Sequence, residues 1–258
     1  MRRNLQPALL GLCLTLGAAC STAKPAVKAT PSVDAETTLR QGDEQLKNKN
    51  YVEAEKLYEA VRSKYPFLDA SKTAELRLAD TDYDRELFLE ARDRYQTFAK
   101  LHPTHPRVDY AAFRVALSHY REVPSDFFML PPSHEKDQTE VRAALKSASE
   151  FLKQYPSSSF VPEAQKIVSD TQRRLAEHDL SIADFYSRRS RWKAVVLRLE
   201  GLWERYPSAG VEERALFKLH NAYTGLKDVP KARQSLERVI QSMPNTPAAQ
   251  KAQKLLGG

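Results

Sequence analysis

The chain has 258 residues, of which 41% are hydrophobic and 28% are charged, and this apolar fraction is large enough to fill a core and to exclude wholesale disorder. Only eight residues are glycine, against about eighteen at average usage, and no pair has the spacing of a phosphate-binding loop. The composition therefore argues against Rossmann and P-loop nucleotide folds, and no cofactor is predicted. The frequent residue types, among them Ala, Leu, Arg, Lys, Glu and Gln, favour an all-α protein.

The N-terminus has the features of a secretory signal. Two arginines precede the apolar run PALLGLCLTLGAA, which is shorter than the roughly 20 residues that span a bilayer. The end of the run, LGAAC, resembles a bacterial lipobox, in which a peptidase cuts before a Cys that carries a diacylglyceryl thioether. We therefore predict a lipoprotein signal peptide over residues 1–19 and lipidation of Cys20. The alternative is an ordinary secretory signal cut after Ala19.

Residues 20–38 are small, polar and Pro-containing, which predicts a flexible tether with a root-mean-square reach of about 25 Å. Ser21 follows the Cys, and by resemblance to Gram-negative lipoproteins a residue other than Asp here predicts anchoring at the periplasmic face of the outer membrane. Without the two arginines of the signal, 38 basic side chains face 33 acidic ones. This excess is small and scattered, so no nucleic-acid partner is predicted.

One pattern recurs along the rest of the chain: an Ala or Val is followed twelve positions later by a Pro, which usually has an aromatic residue before it. The prolines are 37, 53, 51 and 37 residues apart. Self-similarity at this period predicts tetratricopeptide (TPR) units, whose length is about 34 residues, with longer units in the middle. The pairs are Ala54/Pro66, Ala91/Pro103, Ala144/Pro156, Val195/Pro207 and Ala232/Pro244.

Each unit is predicted to be two antiparallel helices, with the Ala where they approach most closely and the Pro ending the second helix. A single pair cannot bury its apolar face, so the units are expected to stack into a superhelical solenoid of about five helix pairs. We assign residues 39–135 to an N-terminal TPR module and 136–258 to a C-terminal one. First helices are predicted at 39–49, 72–86, 108–122, 160–188 and 211–226, second helices at 51–64, 88–101, 136–154, 191–205 and 229–242, and a last helix at 246–255.

The longest predicted break is Glu122–Glu135, which holds three Pro, two Phe, one Met and one Leu. Its apolar content predicts either that it folds onto the solenoid or that it contacts a partner.

No constellation of residues predicts an enzyme or a metal site. His102 and His105 are three apart but are flanked by two prolines, which predicts a structural turn. The acidic run of Asp80, Asp82 and Asp84 lacks the Gly and the distant Glu of a Ca²⁺ loop. Because it falls inside a predicted helix, we interpret it as a solvated face.

Three segments carry a family resemblance: LHPTHPRVDYAAFRVALSHY (101–120), KDQTEVRAALKSASEFLKQYPSSSF (136–160) and RRLAEHDLSIADFYSRRSRWKAVVLRLEGLWERYP (173–207). They resemble the BamD (YfiO/ComL) family of outer-membrane assembly lipoproteins, and the resemblance extends over about residues 39–245. Two departures are Asp179, close to a position where the family often has Glu, and Ser190, which replaces a frequent Gly.

The resemblance implies a scaffold that takes part in inserting β-barrel proteins into the outer membrane. Its N-terminal repeats would receive the C-terminal β-signal of unfolded outer-membrane proteins, and its C-terminal repeats would dock on the POTRA domains of a BamA-like barrel protein, beside other assembly lipoproteins. Arg198 and, second to it, Arg188 are the implied interface residues; the alternative for Arg198 is a solvated side chain or a pair with Glu200 or Glu204. The candidate substrate groove comprises Tyr51, Tyr58, Phe88, Tyr95 and Tyr110.

Other functions remain open at this point. The first alternative is another TPR lipoprotein, such as a pilotin-type factor for secretin or pilus assembly or a cell-envelope scaffold. A peptidoglycan-active enzyme would need a carboxylate pair in a groove, and the sequence indicates none. A periplasmic binding module would need an α/β pattern that is absent.

Overall fold

A computed structural model describes residues 30–124 and 136–257. Over those ranges the chain forms α-helices and one short 3₁₀ turn, with no β-strand. The helices are α1 (Pro31–Lys47), α2 (Tyr51–Lys64), α3 (Asp69–Asp84), α4 (Phe88–Leu101), α5 (Val108–Glu122), α6 (Thr139–Gln154), α7 (Val161–Ser187), α8 (Trp192–Leu199), α9 (Leu202–Arg205), α10 (Glu212–Gly225), α11 (Val229–Ser242) and α12 (Pro247–Gly257); the 3₁₀ turn Pro207–Ala209 follows α9.

Each helix packs mainly on the helices before and after it in sequence, as expected for a solenoid. The pairs are α1/α2, α3/α4, α5/α6, α7/α8 and α10/α11, and α12 packs on α11. The 3₁₀ turn that follows α9 also packs on α7. The all-α TPR solenoid of five helix pairs is thus confirmed. The small residue of each repeat is buried on the second helix of its pair, as the repeat pattern predicted: Ala54, Ala91, Ala144, Val195 and Ala232.

The core continues across the predicted division at residues 135 and 136. Phe113 of α5 packs in one cluster with Ala148 of α6 and Ile167 of α7. The buried Arg92 of α4 also ion-pairs with Glu122 at the end of α5 and lies 3.7 Å from a carboxylate oxygen at the start of α6. The two predicted modules therefore share packing and charge contacts within one stack.

The first helix begins earlier than predicted, at Pro31 instead of residue 39. Pro in the first turn and Asp34 near the positive helix end both favour a helix start here. Ala35 and Leu39 are buried against α2 and α3. Residues 31–38, which we expected to be tether, are therefore part of α1.

The second helix of the fourth pair, predicted as one segment over 191–205, is broken. Gly201 has a φ of +68°, which ends α8 and starts α9. The guanidinium of Arg205 donates to the backbone oxygens of Arg198, at 2.8 Å, and Glu200, at 2.9 Å. Arg205 thus satisfies the carbonyl groups that the break leaves without helical partners.

Two glycines lie where aromatic side chains pack directly on the helix backbone. A Cβ atom on Gly42 would lie 2.5 Å from the Tyr58 ring, and one on Gly225 would lie 2.4 Å from Nε1 of Trp192. Both residues therefore keep space for an aromatic side chain of a neighbouring helix.

The tight turns within the helix pairs use the left-handed backbone region without glycine. Lys49, Glu86, Ser190 and Lys227 have φ values between +53° and +62°, the conformation that follows many helix ends. Ser190, identified above as a departure from a frequent Gly, is one of these positions.

Three predictions concern residues outside the described ranges. These are the signal peptide over 1–19, the lipidated Cys20 and most of the Glu122–Glu135 connection. Among the described residues, no helix is both long enough and apolar enough to cross a membrane.

Candidate partner-binding surfaces

A network of hydroxyl, carboxylate and guanidinium groups runs through the N-terminal repeats, and it follows the 37-residue spacing of the first two units. In the first unit the Tyr58 hydroxyl donates to Asp43 Oδ1 at 2.8 Å, and Arg77 Nε donates to the same oxygen at 2.8 Å. In the second unit the Tyr95 hydroxyl donates to Asp80 Oδ1 at 2.6 Å. We call these residues, with Tyr110 and Arg114, the inner polar network.

Arg77 and Arg114 connect the units of this network. Arg77 Nη1 donates to Asp80 Oδ2 at 3.0 Å, which joins the first unit to the second. Arg114, equivalent to Arg77, donates from Nε to the Tyr95 hydroxyl at 3.0 Å and stacks its guanidinium 3.7 Å from the Tyr83 ring centroid. The Tyr110 hydroxyl donates to Asp80 Oδ1 at 2.5 Å.

Burial decides the protonation of this network. It raises the pKa of Tyr58, Tyr95 and Tyr110, and the nearby carboxylates raise it further, so their hydroxyls stay protonated donors. Burial alone would lower the pKa of Arg77, but Asp43 and Asp80 outweigh it and the net shift is upward. The network is therefore a hydrogen-bonded set of charges in which Asp80 is buried and Asp43 and Arg77 are half-buried.

The interpretation of the acidic run as a solvated face is wrong for two of its three members. Asp80 and Asp82 are each 6% exposed. Asp80 accepts the hydrogen bonds described above, and Asp82 lies 2.6 Å from Nε of Arg94. Asp84 alone is exposed. Local sequence missed this because Arg94, Tyr95 and Tyr110, which pair with the run, come from α4 and α5. Only Arg77 is a partner from the same helix.

The structure separates the five residues of the predicted substrate groove. Tyr58 and Tyr95 are fully buried, so no ligand can reach them and their assignment to the groove is wrong. Tyr51, Phe88 and Tyr110 are half-buried. Phe88 packs edge-on against the Tyr83 ring, and Tyr110 lies under the guanidinium of Arg107.

Tyr51, from that set, lines an open cleft at the N-terminal end of the solenoid. The cleft has a volume of about 570 Å³ and lies between α1, the start of α2 and α3. The Tyr51 hydroxyl donates to the backbone oxygen of Asp84 at 3.2 Å. The lining residues are Asp43, Leu46, Lys47, Lys49, Tyr51, Arg77 and Asp84.

Arg198, the predicted interface residue, pairs with Asp179 and not with Glu200 or Glu204. Its Nη1 donates to Asp179 Oδ1 at 3.0 Å, and Nη2 of Arg205 lies 3.4 Å from Oδ2. Asp179 is 6% exposed, whereas both guanidinium groups are partly exposed. One buried carboxylate thus holds two cations at the surface.

These cations line a pocket of about 440 Å³, which also contains Arg142, Tyr186 and Leu197. Leu197 is 83% exposed although it is apolar. With three arginines and one carboxylate among its lining residues, the pocket has a net positive charge. Arg188, the second predicted interface residue, is exposed in the turn after α7 and is not among the pocket residues.

Sequence reasoning missed Arg205 and Arg142 at this site. Arg205 lies seven residues after Arg198, two helical turns later, but the break at Gly201 brings it back to the same carboxylate. Arg142 comes from α6, so only the packing of the third pair on the fourth reveals it.

Another cleft, of about 900 Å³, lies in the last two pairs. Arg238 stacks its guanidinium 4.3 Å from the Trp203 ring centroid, and Tyr223 donates to Glu200 at 2.6 Å. Within the described ranges, no group of three or more His, Cys, Asp or Glu side chains is arranged to hold a metal ion.

A family model and the curated relatives of this chain point to the same protein family. The family model YfiO, described as outer membrane lipoprotein, matches residues 31–237. The outer membrane protein assembly factor BamD of Vibrio cholerae is 29% identical over 96% of this chain and 100% of that protein. The same-named protein of Neisseria gonorrhoeae is 26% identical over 96% of this chain and 93% of that protein.

Among solved structures, the TPR2AB-domain:pHSP90 complex of yeast Sti1 matches 87% of this chain and 85% of that chain, with 13% identity and a TM-score of 0.45. A similarity this low supports no conclusion about the site. The family model, in contrast, covers all the helix pairs except the end of the last. The chain belongs to the YfiO family of outer membrane lipoproteins.

Proposed function

We propose that this protein is a lipid-anchored assembly factor at the periplasmic face of the outer membrane, where it binds unfolded outer-membrane proteins and a BamA-like POTRA-containing barrel protein. The observation that carries the proposal is the similarity over 96% of the chain to proteins named outer membrane protein assembly factor BamD. The role is one of binding and not of catalysis. Two surfaces of the solenoid support it, one in each half.

The N-terminal cleft suits the end of an extended peptide. Lys47, Lys49 and Arg77 line it and can bind a terminal carboxylate, while Tyr51 and Leu46 offer apolar contact to a last aromatic side chain. Asp43 already uses Arg77, so the two exposed lysines are the available cations. This chemistry fits a β-signal that ends in Phe or Tyr.

A peptide-binding experiment tests the cleft. A peptide ending in Phe with a free carboxylate should bind more tightly than its C-terminal amide, by about 1.5 kcal/mol for one charged hydrogen bond. Lys49→Gln should remove most of that difference. Lys227→Gln is the matched control because Lys227 occupies the equivalent left-handed turn of the fifth pair. Equal binding of acid and amide to the unmodified protein would contradict the proposed cleft.

The C-terminal pocket suits an acidic partner. Asp179 is buried and already bound, so an additional carboxylate from a partner would meet Arg198, Arg205 and Arg142, with Leu197 beside it as an exposed apolar contact. An Arg–carboxylate pair at the centre of an interface is worth about 2 kcal/mol or more when one partner is removed.

Pulldown from native membranes in mild detergent tests this docking. The unmodified protein should recover a POTRA-containing barrel protein in stoichiometric amount, and Arg198→Ala should reduce that recovery without unfolding the chain, because Arg205 still pairs with Asp179. Arg62→Ala, an exposed arginine of the other half, is the control. Recovery of secretin or pilus components without the barrel protein would favour the pilotin-type alternative and refute the proposal.

A further inference from the structure

The first described helix begins close to the proposed anchor. If Cys20 carries the lipid, as the proposed function holds, only ten residues, 21–30, separate it from Pro31 at the start of α1. Ten residues span about 35 Å when fully extended and about 17 Å on average when flexible. The N-terminal end of α1 is therefore held within that distance of the bilayer.

The edge of the solenoid that lies beside this end can be identified from contacts. Asp34, in the first turn of α1, accepts a hydrogen bond from Lys64 Nζ at 2.8 Å and another from the Tyr65 hydroxyl. The turn between α2 and α3 follows immediately. The turn between α4 and α5 is next to it, because His102 Nε2 lies 2.8 Å from Oε2 of Glu75 on α3. We call these two turns and the start of α1 the anchor edge.

The anchor edge exposes apolar side chains. Phe67, in the turn between α2 and α3, is 97% exposed, and Leu101, at the end of α4, is 63% exposed. Phe and Leu are among the residue types most often buried, and no residue of the described ranges covers the Phe67 ring. An aromatic side chain that protrudes from a turn suits the boundary between water and lipid.

The charges of the anchor edge are compatible with a lipid surface. Lys64 and Lys100 are close in sequence to Phe67 and Leu101, and Lys72 lines one cleft with Leu101. Lys64 and Lys72 pair with Asp34 and Asp69. The edge is thus close to neutral with a small positive excess. Insertion of apolar groups would be the main contribution to the free energy of membrane binding, and attraction to anionic lipid would add to it.

We propose that the anchor edge rests on the inner surface of the outer membrane, with Phe67 inserted among the phospholipids. The contact fixes how the solenoid is oriented on the bilayer. The turns between α2 and α3 and between α4 and α5 face the lipid, and the opposite edge, where α2 begins at Tyr51, faces away.

Depth-dependent quenching on vesicles tests this orientation. In the lipidated protein the Cys20 thiol is consumed by the thioether and Cys13 has left with the signal, so Phe67→Cys introduces the one free thiol of the 258-residue sequence. It is labelled with an environment-sensitive fluorophore and bound to vesicles of phosphatidylethanolamine and phosphatidylglycerol, with and without nitroxide-labelled phospholipid. Val52→Cys is the matched control, since Val52 is also exposed and apolar, at 64%, but lies at the other end of α2.

The label at position 67 should lose about half of its fluorescence to the nitroxide lipid, as expected for insertion at the interface, and the label at 52 should be unaffected. In a second pair of proteins, a label at Leu101→Cys should be quenched by nitroxide lipid when Phe67 is present and less when Phe67→Ser is added. Because Phe67 is almost fully exposed, this substitution should leave the helical fold intact.

Several outcomes would overturn the inference. Equal quenching at positions 67 and 52, or none at either while the protein stays with the vesicles, would exclude this orientation and leave the lipid anchor standing. The label at position 67 could instead show blue-shifted emission that nitroxide lipid does not quench and that changes with the density of protein on the vesicle. That result would show that Phe67 contacts a second copy of the chain and not the lipid. Loss of the protein from the vesicles, as in a Cys20→Ser control, would refute the anchor itself and this inference with it.

Discussion

The Tyr95 hydroxyl is a structural group whose role only the three-dimensional arrangement reveals. The sequence places Tyr58 and Tyr95 four residues after the repeat alanines, a spacing that predicts repeat-equivalent aromatics. Whether such a ring lines a groove or fills the core depends on which helices lie above it, and the sequence does not contain that information locally. The same holds for Asp80, whose partners come from α3, α4 and α5.

Removing that hydroxyl should therefore destabilise the protein. Tyr95→Phe leaves Asp80 with one donor fewer and Arg114 without its acceptor, both in buried surroundings, so we expect the free energy of unfolding to fall by about 1–3 kcal/mol. Urea unfolding followed by circular dichroism measures it. Tyr51→Phe, which removes a surface hydroxyl, is the control and should change stability far less. A Tyr95→Phe protein as stable as the unmodified one would show that the inner polar network adds nothing to stability.

At the scale of elements, the helix pairs could be predicted from the sequence, but some of the helix ends could not. The second helices at 51–64, 88–101 and 229–242 were predicted with the bounds that the structure has, because a turn precedes each and a repeat Pro follows. The start of α1 was missed because its small, polar residues around Pro31 are equally typical of a tether. The break in the second helix of the fourth pair was missed because one Gly, at position 201, is compatible with a continuous helix.

The close packing of α8 on α10 depends on Gly225, which has no side chain to collide with Trp192. Gly225→Ala would place a Cβ atom 2.4 Å from Nε1 of Trp192, so the ring or the helix must move. We expect the free energy of unfolding to fall by about 1–3 kcal/mol. Gly257→Ala is the matched control, because a Cβ atom there meets nothing within 4 Å. Thermal unfolding of both variants measures the difference. Unchanged melting of Gly225→Ala would mean that Trp192 relaxes freely and that the contact is unimportant.

At the scale of the whole molecule, the solenoid is a stack of nearest-neighbour contacts. The repeat period predicted this architecture, since no single pair can bury its apolar face. The division into two modules after residue 135 was drawn at the longest break in the pattern. Spacing along the chain, however, carries no information on how α5 and α6 pack, and the cluster of Phe113, Ala148 and Ile167 crosses that division.

Hydrogen exchange can show how a core defect spreads in this stack. Phe113→Ala should cost about 3–5 kcal/mol and should speed amide exchange in α6 and α7 as well as in α5, because all three helices share its cluster. Val61→Ala, in the cluster of α1 to α3, is the control and should speed exchange there first. If Phe113→Ala affected only helices before residue 125, the two modules would be energetically independent and the shared core would be unimportant.

The break at Gly201 divides the second helix of the fourth pair into two segments, both of which pack in the same core cluster. In an unbroken TPR hairpin the second helix is a rigid rod, and the rotation from one pair to the next is fixed by packing alone. Here α8 and α9 meet at one left-handed residue, and the guanidinium of Arg205 bridges the two segments. If the proposed partner carboxylate binds both Arg198 and Arg205, it would fix the angle between α8 and α9, and α10 packs on α8. The binding of a partner would then influence the direction in which the last helix pairs continue the superhelix.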